Sequence, residues 1–309
     1  MIVCIGSFDG YHRGHFTLFC AARDLARAKG TEWEIVTFSP HPRFVLGKGL
    51  NARLFSEDEK KWLRNVFSIP QPIEIAFTHE LASMEPGVFL DELGKRLGVT
   101  GIVVGKDFRF GRNRLGDSSF LVQYCSSRGW SLRLMPHISD DGDGVSSSRI
   151  RELVRGGDVE EAHKLLGYPY FILSEIVGGE QRGRTLGFPT ANIVPSETKI
   201  IPMEGAYAGA ALHAGHWYPA AVSVGRNPTF NVNGGLRIES HLIGFSGNLY
   251  GSQLTVAFLE KLRPLVRYGG KDELIAQLSC DCKNTESIFQ RYSEELNALI
   301  SCHKSSSVL

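Results

Sequence analysis

Two histidines stand three positions apart in the stretch GSFDGYHRGH, residues 6–15, which follows the short apolar run IVCI. The pattern predicts a strand that turns into a helix, and the start of a helix offers unpaired N–H groups to phosphates. His12 and His15 share one face of that helix start, where both rings can donate hydrogen bonds to phosphate oxygens. The stretch therefore indicates a site for a nucleoside triphosphate, with a zinc pair or a plain glycine-rich turn as alternatives.

The glycines of this stretch fit the same interpretation. Gly6 follows the apolar run directly, and its missing side chain permits a tight turn. Gly14 stands between the two histidines and lets a ligand approach the helix backbone. In open α/β sheets, ligands bind at the carboxyl ends of strands, which is where this stretch is predicted to lie.

A second group of candidate residues occupies GGEQRGRTLGFPTANI, residues 178–193. Its glycines and arginines are typical of a flap that covers phosphates, although the chain contains no GxxxxGK[ST] and hence no P-loop. Thr190 and Asn192 face the same side of an extended segment, because side chains alternate along a strand. Their neutral oxygens, together with substrate phosphates, suit Mg²⁺. The alternative is that both side chains only stabilise a turn.

Glu239 is a candidate base in the later run LRIESHLI. The alternation of this run places it on a polar face together with Arg237 and His241. A carboxylate there can take the proton of an alcohol, or it can be an ordinary solvated side chain. The pattern leaves both interpretations open.

The elements that must position these residues alternate in the first half of the chain. The predicted strands are IVCIG, WEIVTF, VTGIVVG and WSLRLMP. The predicted helices are residues 16–30, Lys60 to Val66, Pro86 to Leu97, Phe120 to Arg128, and residues 146–157. The alternation predicts βαβ units and a Rossmann-like α/β domain with a parallel sheet.

The second half changes character after Leu166. Six short strand-like runs follow, separated by Gly, Pro and Asn: YFILSEIVGG, TANIVP, YAGAALHAG, WYPAAVSVG, LRIESHLIGF and SQLTVAFLEKLR. They predict an antiparallel barrel or sandwich, followed by helices over Asp272–Leu278 and Thr285–Leu299. The length and this change predict two domains, 1–167 and 168–309, with a frayed tail.

Composition argues against several classes of protein. No apolar run approaches the ~18 residues of a membrane span, and no secretory signal is expected at the start of the chain. The net charge of +1 gives no electrostatic footprint for nucleic acid. The six cysteines lack the CxxC spacing of a zinc site, so we expect free thiols in a cytoplasmic protein.

Four motifs of the first half resemble, in the same order, those of the N-terminal module of bacterial bifunctional riboflavin kinase/FAD synthetases. They are FDGYHRGH (8–15), TFSPHP (37–42), VVGKDFRFG (103–111) and SSSRIR (146–151). Ser39 stands where that family often has an acidic residue, and Ser148 where it usually has threonine. The second half is similar to the kinase module of the same family in GRTLGFPTANI, GAYA, VGRNPTF, RIESHLIGF and LYG.

The resemblance implies an N-terminal nucleotidyltransferase domain that makes FAD from FMN and ATP. It implies catalytic roles for His12 and His15 and flavin binding by Pro40, His41 and Asp107. It also implies ATP binding by residues of the first and last motifs: Gly6, Phe8, Asp9, Gly14, Ser147, Ser148 and Arg151.

For the second half, the resemblance implies a β-barrel with a terminal helix that phosphorylates riboflavin to FMN. Glu239 takes the position of the catalytic base, and Thr190 and Asn192 take those of Mg²⁺ and phosphate ligands. Further residues that it implies in nucleotide or flavin binding are Gly179, Gly183, Arg184 and Arg263. Gly244 and Asn248 replace aspartates that the family commonly has, and this loss of charge could slow the kinase step.

The expected function is therefore the synthesis of FMN and FAD from riboflavin and ATP, with Mg²⁺ as cofactor and no nucleic-acid or membrane partner. We expect a monomer or a weak homo-oligomer. Two alternatives stay open. One is an FMN adenylyltransferase whose barrel only binds flavin, and the other is a flavin- or nucleic-acid-binding protein that reuses the fold.

Overall fold

The computed structural model describes residues 1–47, 52–136, 139–140, 143–178, 182–226 and 236–301. Within these residues the chain forms two compact units. The first contains Met1–Ala52 and Ile69–Ser146, and the second contains Arg53–Ser68 and the described residues from Ser147 onward. The chain therefore enters the second unit early, returns to the first, and only then builds the rest of the second.

The strands and helices are numbered in chain order. The strands are β1 (Ile2–Ile5), β2 (Trp33–Ser39), β3 (Ile73–Ala76), β4 (Gly101–Gly105), β5 (Ser131–Met135), β6 (Ser139–Asp140), β7 (Asp143–Gly144), β8 (Tyr170–Val177), β9 (Ala191–Ile193), β10 (Gly205–His213), β11 (His216–Arg226), β12 (Leu236–Leu242) and β13 (Gln253–Arg263). The helices are α1 (Arg13–Lys29), α2 (Pro42–Val45), α3 (Glu57–Phe67), α4 (His79–Ser83), α5 (Pro86–Leu97), α6 (Ser118–Arg128), α7 (Ser147–Gly156), α8 (Val159–Leu166), α9 (Arg182–Thr185) and α10 (Lys271–Ser301). The elements β3, β6, β7, α2, α4, α8 and α9 were absent from the sequence-based prediction.

Strands β1 to β5 form a parallel sheet in the order β3-β2-β1-β4-β5, which confirms the predicted parallel sheet. All four residues of β1 are buried, as are the first four of β4. Buried parallel strands are continuous apolar runs, and IVCI and GIVV have that composition. The strand order reverses beside β1, so the carboxyl ends of β1 and β4 flank the switch point at which such sheets bind ligands.

Helix α1 follows β1 and ends near the predicted residue, Gly30. This glycine has a φ of 62°, in the left-handed region that helix ends favour, and its N–H donates to the Arg27 carbonyl at 3.3 Å. The buried residues Phe19, Ala22 and Leu25 recur at helical spacing on one side of α1. Burial of this side fixes the start of α1, which carries the two histidines.

The six strands β8 to β13 form a closed antiparallel barrel in the order β10-β11-β12-β9-β8-β13, which confirms the predicted antiparallel architecture. Burial alternates along β12, where Ile238, Ser240 and Leu242 are buried and the residues between them are half-buried. Side chains of a barrel strand alternate between interior and exterior. Arg237, Glu239 and His241 therefore share the outer face of β12.

A buried ion pair ties α3 to the barrel. Lys199 Nζ donates to Glu59 Oε2 at 2.9 Å, and both side chains are 1% exposed. The remaining donors of Lys199 bond to the carbonyls of Leu54 and Phe171, at 2.7 and 2.8 Å. Glu59 also accepts from the N–H of Leu173 in β8, at 2.9 Å. These bonds explain why α3, which the sequence places in the first half, belongs to the second compact unit.

The prediction of two C-terminal helices is wrong, because one helix, α10, spans Lys271–Ser301 without a break. The residues that join the two predicted segments contain no Gly or Pro. Asp281, at the centre of the join, is buried and accepts from Arg263 at 2.6 Å. Leu296, nearer the end of α10, accepts a hydrogen bond from Trp217 Nε1 in β11, at 2.8 Å. Of the predicted frayed tail, residues 301–309, Ser301 is the last residue of α10 and the rest lie outside the described residues.

Helices α7 and α8, residues 147–166, belong to the same compact unit as the barrel. The predicted domain boundary between residues 167 and 168 stays a prediction. Among the helices in the described part of the chain, none is long and apolar enough to cross a membrane.

Candidate active sites

The two histidines of GSFDGYHRGH lie side by side at the start of α1. His12 precedes the first helical residue, and the N–H of His15 donates to the His12 carbonyl at 2.7 Å. Their rings are stacked, with centroids 3.6 Å apart and planes inclined by 20°. A Cβ at position 14 would lie 3.1 Å from His12 Nδ1, so glycine at this position leaves room for the ring.

His15 is held in its neutral form. Burial lowers its pKa well below 6.5, and the adjacent His12 lowers the pKa further. The Nδ1 atom of His15 is buried and has no hydrogen-bond partner among the described residues. A neutral imidazole donates one hydrogen bond and accepts another, so this ring is able to bind a phosphate oxygen without carrying a charge.

Two further predicted residues of this turn, Phe8 and Asp9, are buried. Phe8 is buried, and its ring packs edge-on against His15 with centroids 5.1 Å apart. Its φ of 42° and the φ of 33° at Tyr11 are rare for residues with side chains. Asp9 is 5% exposed. The backbone of FDGYH is thus bent into a sparsely populated conformation at a strand end, as is frequent at functional sites.

A cavity of about 950 Å³ opens in the first unit. Its walls include Gly6 and the predicted flavin-binding residues His41 and Asp107, whereas Pro40 is not among them. Other residues that line the cavity are aromatic or basic, and the sequence pattern assigned them no binding role. They include Phe38, Phe77, Phe89, Arg43, Arg112 and Arg114. Such a cavity suits a flat, anionic molecule, because aromatic rings can stack on it and guanidinium groups can bind its charge.

Three of the cavity residues stand at or just after strand ends. Phe38 is the penultimate residue of β2, Phe77 directly follows β3, and Asp107 follows β4 by two residues. Phe77 escaped the sequence analysis because β3 has only four residues and was not predicted. The signal that would have found it is its position after a short alternating run, IEIA.

Ser147, Ser148 and Arg151 of SSSRIR lie in the first turns of α7, in the second compact unit. Arg151 Nη1 approaches the Ser148 hydroxyl at 3.5 Å. Ser147 is the first residue of the helix, so the expected helix start is present. The ATP-binding role of Ser147, Ser148 and Arg151 stays a prediction.

On the barrel, three of the predicted kinase residues, Thr190, Asn192 and Glu239, come together on one outer face. Asn192 and Glu239 are direct register partners in the antiparallel pair β9–β12. The hydroxyl of Thr190 lies 3.5 Å from Glu239 Oε2. The Glu239 side chain is 39% exposed, and Arg237 Nη1 lies 3.9 Å from Oε1. Thr190 and Asn192 thus both stand beside Glu239, and their roles as Mg²⁺ and phosphate ligands stay a prediction.

This group of oxygen atoms could hold a divalent cation. A hydroxyl, an amide oxygen and a carboxylate are hard donors of the kind that Mg²⁺ takes together with substrate phosphates and water. In contrast, no cluster of three or more His, Cys, Asp and Glu residues with metal-binding geometry occurs among the described residues, which gives no support to zinc at His12 and His15.

A second cavity, of about 550 Å³, adjoins Thr190. Its walls include Ala191, Ser240 and the loop after β12 with Phe245 and Asn248. The Ser240 hydroxyl is buried and has no hydrogen-bond partner among the described residues.

The segment before Thr190 is tightly packed. The N–H of Phe188 donates to the Gly183 carbonyl at 2.9 Å, and a Cβ on Gly183 would lie only 2.3 Å from the Phe188 carbonyl oxygen. Glycine at 183 is therefore required by the close approach of two backbone segments. Of the other predicted flap residues, Gly179 lies outside the described residues, and so does the side chain of Arg184.

The two departures from the family pattern have local structural reasons. Gly244 has a φ of 77°, which residues with side chains rarely adopt. Asn248 Oδ1 accepts from the N–H of Tyr250 at 3.0 Å and so stabilises its own turn. Their effect on the kinase rate stays a prediction.

The guanidinium of Arg263 is engaged by the terminal helix. It donates to both carboxylate oxygens of Asp281, at 2.6 and 3.2 Å, and this carboxylate raises the pKa of Arg263. Gln277 Nε2 donates to the same carboxylate at 2.9 Å. Arg263 thus links β13 to α10, and its contact with flavin stays a prediction.

Comparisons with known proteins match both halves of the chain. The FAD synthetase family model covers residues 1–149, and the riboflavin kinase family model covers residues 166–289. A protein of Listeria monocytogenes described as a bifunctional riboflavin kinase/FMN adenylyltransferase is 31% identical, over 94% of this chain and 93% of its own. Relatives with the same description from Pseudomonas fluorescens and Bacillus subtilis are 32% and 30% identical.

A solved structure from Streptococcus pneumoniae is similar over most of its length. It has a TM-score of 0.84 and 29% sequence identity, and the match covers 92% of this chain and 93% of that one. That protein is described as a macrolide-efflux protein. The likeness in fold therefore extends over both halves of the chain.

Proposed function

The chain belongs to the family of bifunctional riboflavin kinases/FMN adenylyltransferases, and we propose that its two reactions use separate sites, at the start of α1 and on the outer face of β12. The enzyme phosphorylates riboflavin to FMN and adenylylates FMN to FAD, with ATP as the co-substrate of both steps. The two reactions need different chemistry, because one activates an alcohol and the other aligns a phosphate that is already an anion.

In the adenylyl transfer, a phosphate oxygen of FMN attacks the α-phosphorus of ATP. The bond between this phosphorus and the oxygen that bridges to the β-phosphate breaks, and pyrophosphate leaves. The nucleophile is anionic at neutral pH, so the site contributes alignment and stabilisation of the charge that develops on the leaving group. His12 and His15, together with the N–H groups at the start of α1, supply those donors.

The aromatic cavity of the first unit is our candidate for the FMN pocket. His41 and Asp107 line it together with Phe38 and Phe77, and its arginines supply positive charge for the phosphate. The volume of about 950 Å³ is at the upper end of the range that ligand pockets occupy. In this proposal, the pocket delivers the FMN phosphate to the ATP bound at α1.

In the kinase step, the primary alcohol of the ribityl chain attacks the γ-phosphorus of ATP. Glu239 accepts the proton of the alcohol as the new P–O bond forms, and ADP leaves with the electrons of the bond that breaks. Thr190 and Asn192 orient the phosphates and would hold Mg²⁺, which neutralises phosphate charge when bound. Arg237 lies 3.9 Å from Glu239 and supplies a positive charge beside the carboxylate.

One observation is the main support for the proposed kinase site. Thr190, Asn192 and Glu239 share one face through the β9–β12 register. The test is incubation of the protein with riboflavin, ATP and Mg²⁺, with the products separated by chromatography. We expect FMN to appear first and FAD to follow. FAD formation from supplied FMN without any FMN formation from riboflavin would instead support a barrel that only binds flavin.

We further propose that the enzyme acts in the cytoplasm, as a monomer or weak homo-oligomer, without a nucleic-acid partner. The support is its substrates, which are small soluble molecules, and its net charge of +1. Sedimentation of the purified protein at several concentrations tests the oligomeric part of this proposal.

A further inference from the structure

His241 lies two residues beyond Glu239 on the same outer face of β12, and the mechanism above gives it no task. Its Nδ1 atom lies 2.7 Å from the carbonyl oxygen of Pro189. A carbonyl oxygen only accepts, so Nδ1 must carry the hydrogen in this contact, in the neutral or the charged ring. The ring of Phe188 packs edge-on against His241, with centroids 5.5 Å apart. The imidazole therefore holds the two residues directly before Thr190.

The hydrogen bond between His241 and Pro189 lies just beyond the last residue pair of the β9–β12 ladder. The β9–β12 ladder pairs Ile193 with Ile238, Asn192 with Glu239 and Ala191 with Ser240, and it ends there. One further step in the same register would place Thr190 opposite His241. At this step a side-chain bond from His241 to the backbone at Pro189 takes the place of the ladder. Thr190 thus stands just outside the strand pairing that fixes Asn192.

We propose that His241 is a positioning residue of the kinase site, whose Nδ1–H bond to the Pro189 carbonyl holds the Thr190 hydroxyl towards Glu239. This inference rests on the proposed roles of Thr190 and Glu239. Without the bond, the backbone before Thr190 is free to shift relative to β12. A displacement of about 1 Å in such a contact is able to cost up to ~10²-fold in rate.

Two substitutions separate the hydrogen bond from the packing of the ring. His241→Asn keeps an N–H donor near the position of Nδ1, and His241→Phe keeps an aromatic ring against Phe188 but has no donor. A neutral hydrogen bond contributes about 1 kcal/mol, which corresponds to roughly a five- to ten-fold change. We expect kcat for riboflavin phosphorylation to fall by about that factor in His241→Phe, with a higher half-saturating Mg²⁺ concentration. His241→Asn should stay within two- to three-fold of the unmodified enzyme.

The second reaction of the same polypeptide is the internal control. FAD formation from supplied FMN should remain within two-fold of normal in both variants, because it uses the site at α1. A normal kinase rate in His241→Phe overturns the inference. Equal losses of kcat in His241→Phe and His241→Asn also overturn it, since the imidazole ring and not its N–H donor would then be required.

A double-substitution cycle with Thr190→Ala separates the inference from the proposed function. If His241 acts through Thr190, His241→Phe should change the residual kinase rate of Thr190→Ala by less than two-fold. A full effect of His241→Phe in that background overturns the positioning role alone. An unchanged kinase rate in Thr190→Ala itself would refute the proposed role of Thr190 and the inference with it.

Discussion

The start of α1 and the outer face of β12 offer different groups to a nucleotide. At α1, two imidazoles are stacked and burial keeps the pKa of His15 well below 6.5, so the ring is a neutral donor. On β12, the half-exposed carboxylate of Glu239 stands beside a hydroxyl and an amide. A phosphate nucleophile needs donors around it and an alcohol needs a base, so each site matches the reaction proposed for it.

The two sites also differ in how the backbone builds them. The turn before α1 depends on rare local conformations, with positive φ at Phe8 and Tyr11. The barrel site depends on register, since Asn192 and Glu239 meet only because β9 pairs with β12. A local motif therefore specifies the first site, whereas pairing of distant segments specifies the second.

The largest expected effect comes from Glu239→Gln, which removes the proposed base and keeps the shape of the side chain. Riboflavin phosphorylation should fall by ~10²-fold or more, the usual contribution of a general base. FAD formation from FMN should stay within two-fold. Glu175→Gln, at an exposed glutamate of β8, is the matched control and should change neither rate. An unaltered kinase rate in Glu239→Gln would remove Glu239 from this role.

His15→Ala should have the opposite selectivity, because it should lower FAD formation and leave FMN formation intact. Removing one preorganised donor costs about 10²–10³-fold, so FAD formation should nearly cease while FMN formation continues at its normal rate. The exposed His216 on β11 provides the matched control, His216→Ala. Rates of both reactions are measured with each flavin supplied separately. A parallel fall of both in a folded His15→Ala protein would contradict the separation of the sites.

The third prediction concerns the stability of the barrel unit. Lys199→Met leaves Glu59 buried without its cation, and breaking such a pair costs about 3–5 kcal/mol of unfolding free energy. Lys60→Met, which breaks the pair of Lys60 with the exposed Glu57, should cost no more than about 1 kcal/mol. Urea denaturation monitored by fluorescence measures both. Equal losses in the two variants would show that the buried pair does not hold α3 to the barrel.

The smallest expected effect is a pH dependence of the unfolding free energy that arises from His15 at the start of α1. The pKa of His15 is lower in the folded chain than in the unfolded chain, so the unfolded chain binds more protons below pH 6.5. The stability that His15 contributes is fully present above this pH and is lost as the pH falls below it, by at most about 1.4 kcal/mol per pH unit.

His15→Asn should therefore flatten the pH dependence of the unfolding free energy between about pH 6.5 and 5. The measurement is urea denaturation of both proteins across this range. If the unfolding free energy changes with pH by the same amount in the two proteins, burial does not lower the pKa of His15.

The sequence was sufficient for the strand, turn and helix that carry His12 and His15, because their signals are local. The run IVCI, the glycines and the spacing of His12 and His15 all lie within residues 2–15, and strand, turn and helix follow from them. The alternation in LRIESHLI likewise placed Glu239 on one polar face with Arg237 and His241, which is the outer face of β12. Local periodicity decides which face a side chain occupies.

Other features depend on contacts between segments far apart in the chain. Nothing in the local sequence of α3 shows that Glu59 pairs with Lys199, 140 residues later. The continuity of α10 also escaped prediction, because the polar run at its centre contains Asp281, whose burial depends on Arg263 in β13. The bond between His241 and Pro189 requires knowledge of where the β9–β12 ladder ends.

Complementation between two variants tests the separation of the sites most directly. Riboflavin, ATP and Mg²⁺ are incubated with His15→Ala, with Glu239→Gln and with an equimolar mixture, and the flavins are resolved by chromatography. We predict that His15→Ala stops at FMN, that Glu239→Gln converts only supplied FMN to FAD, and that the mixture makes FAD from riboflavin. A mixture that makes no FAD, although each variant is folded, would contradict the account.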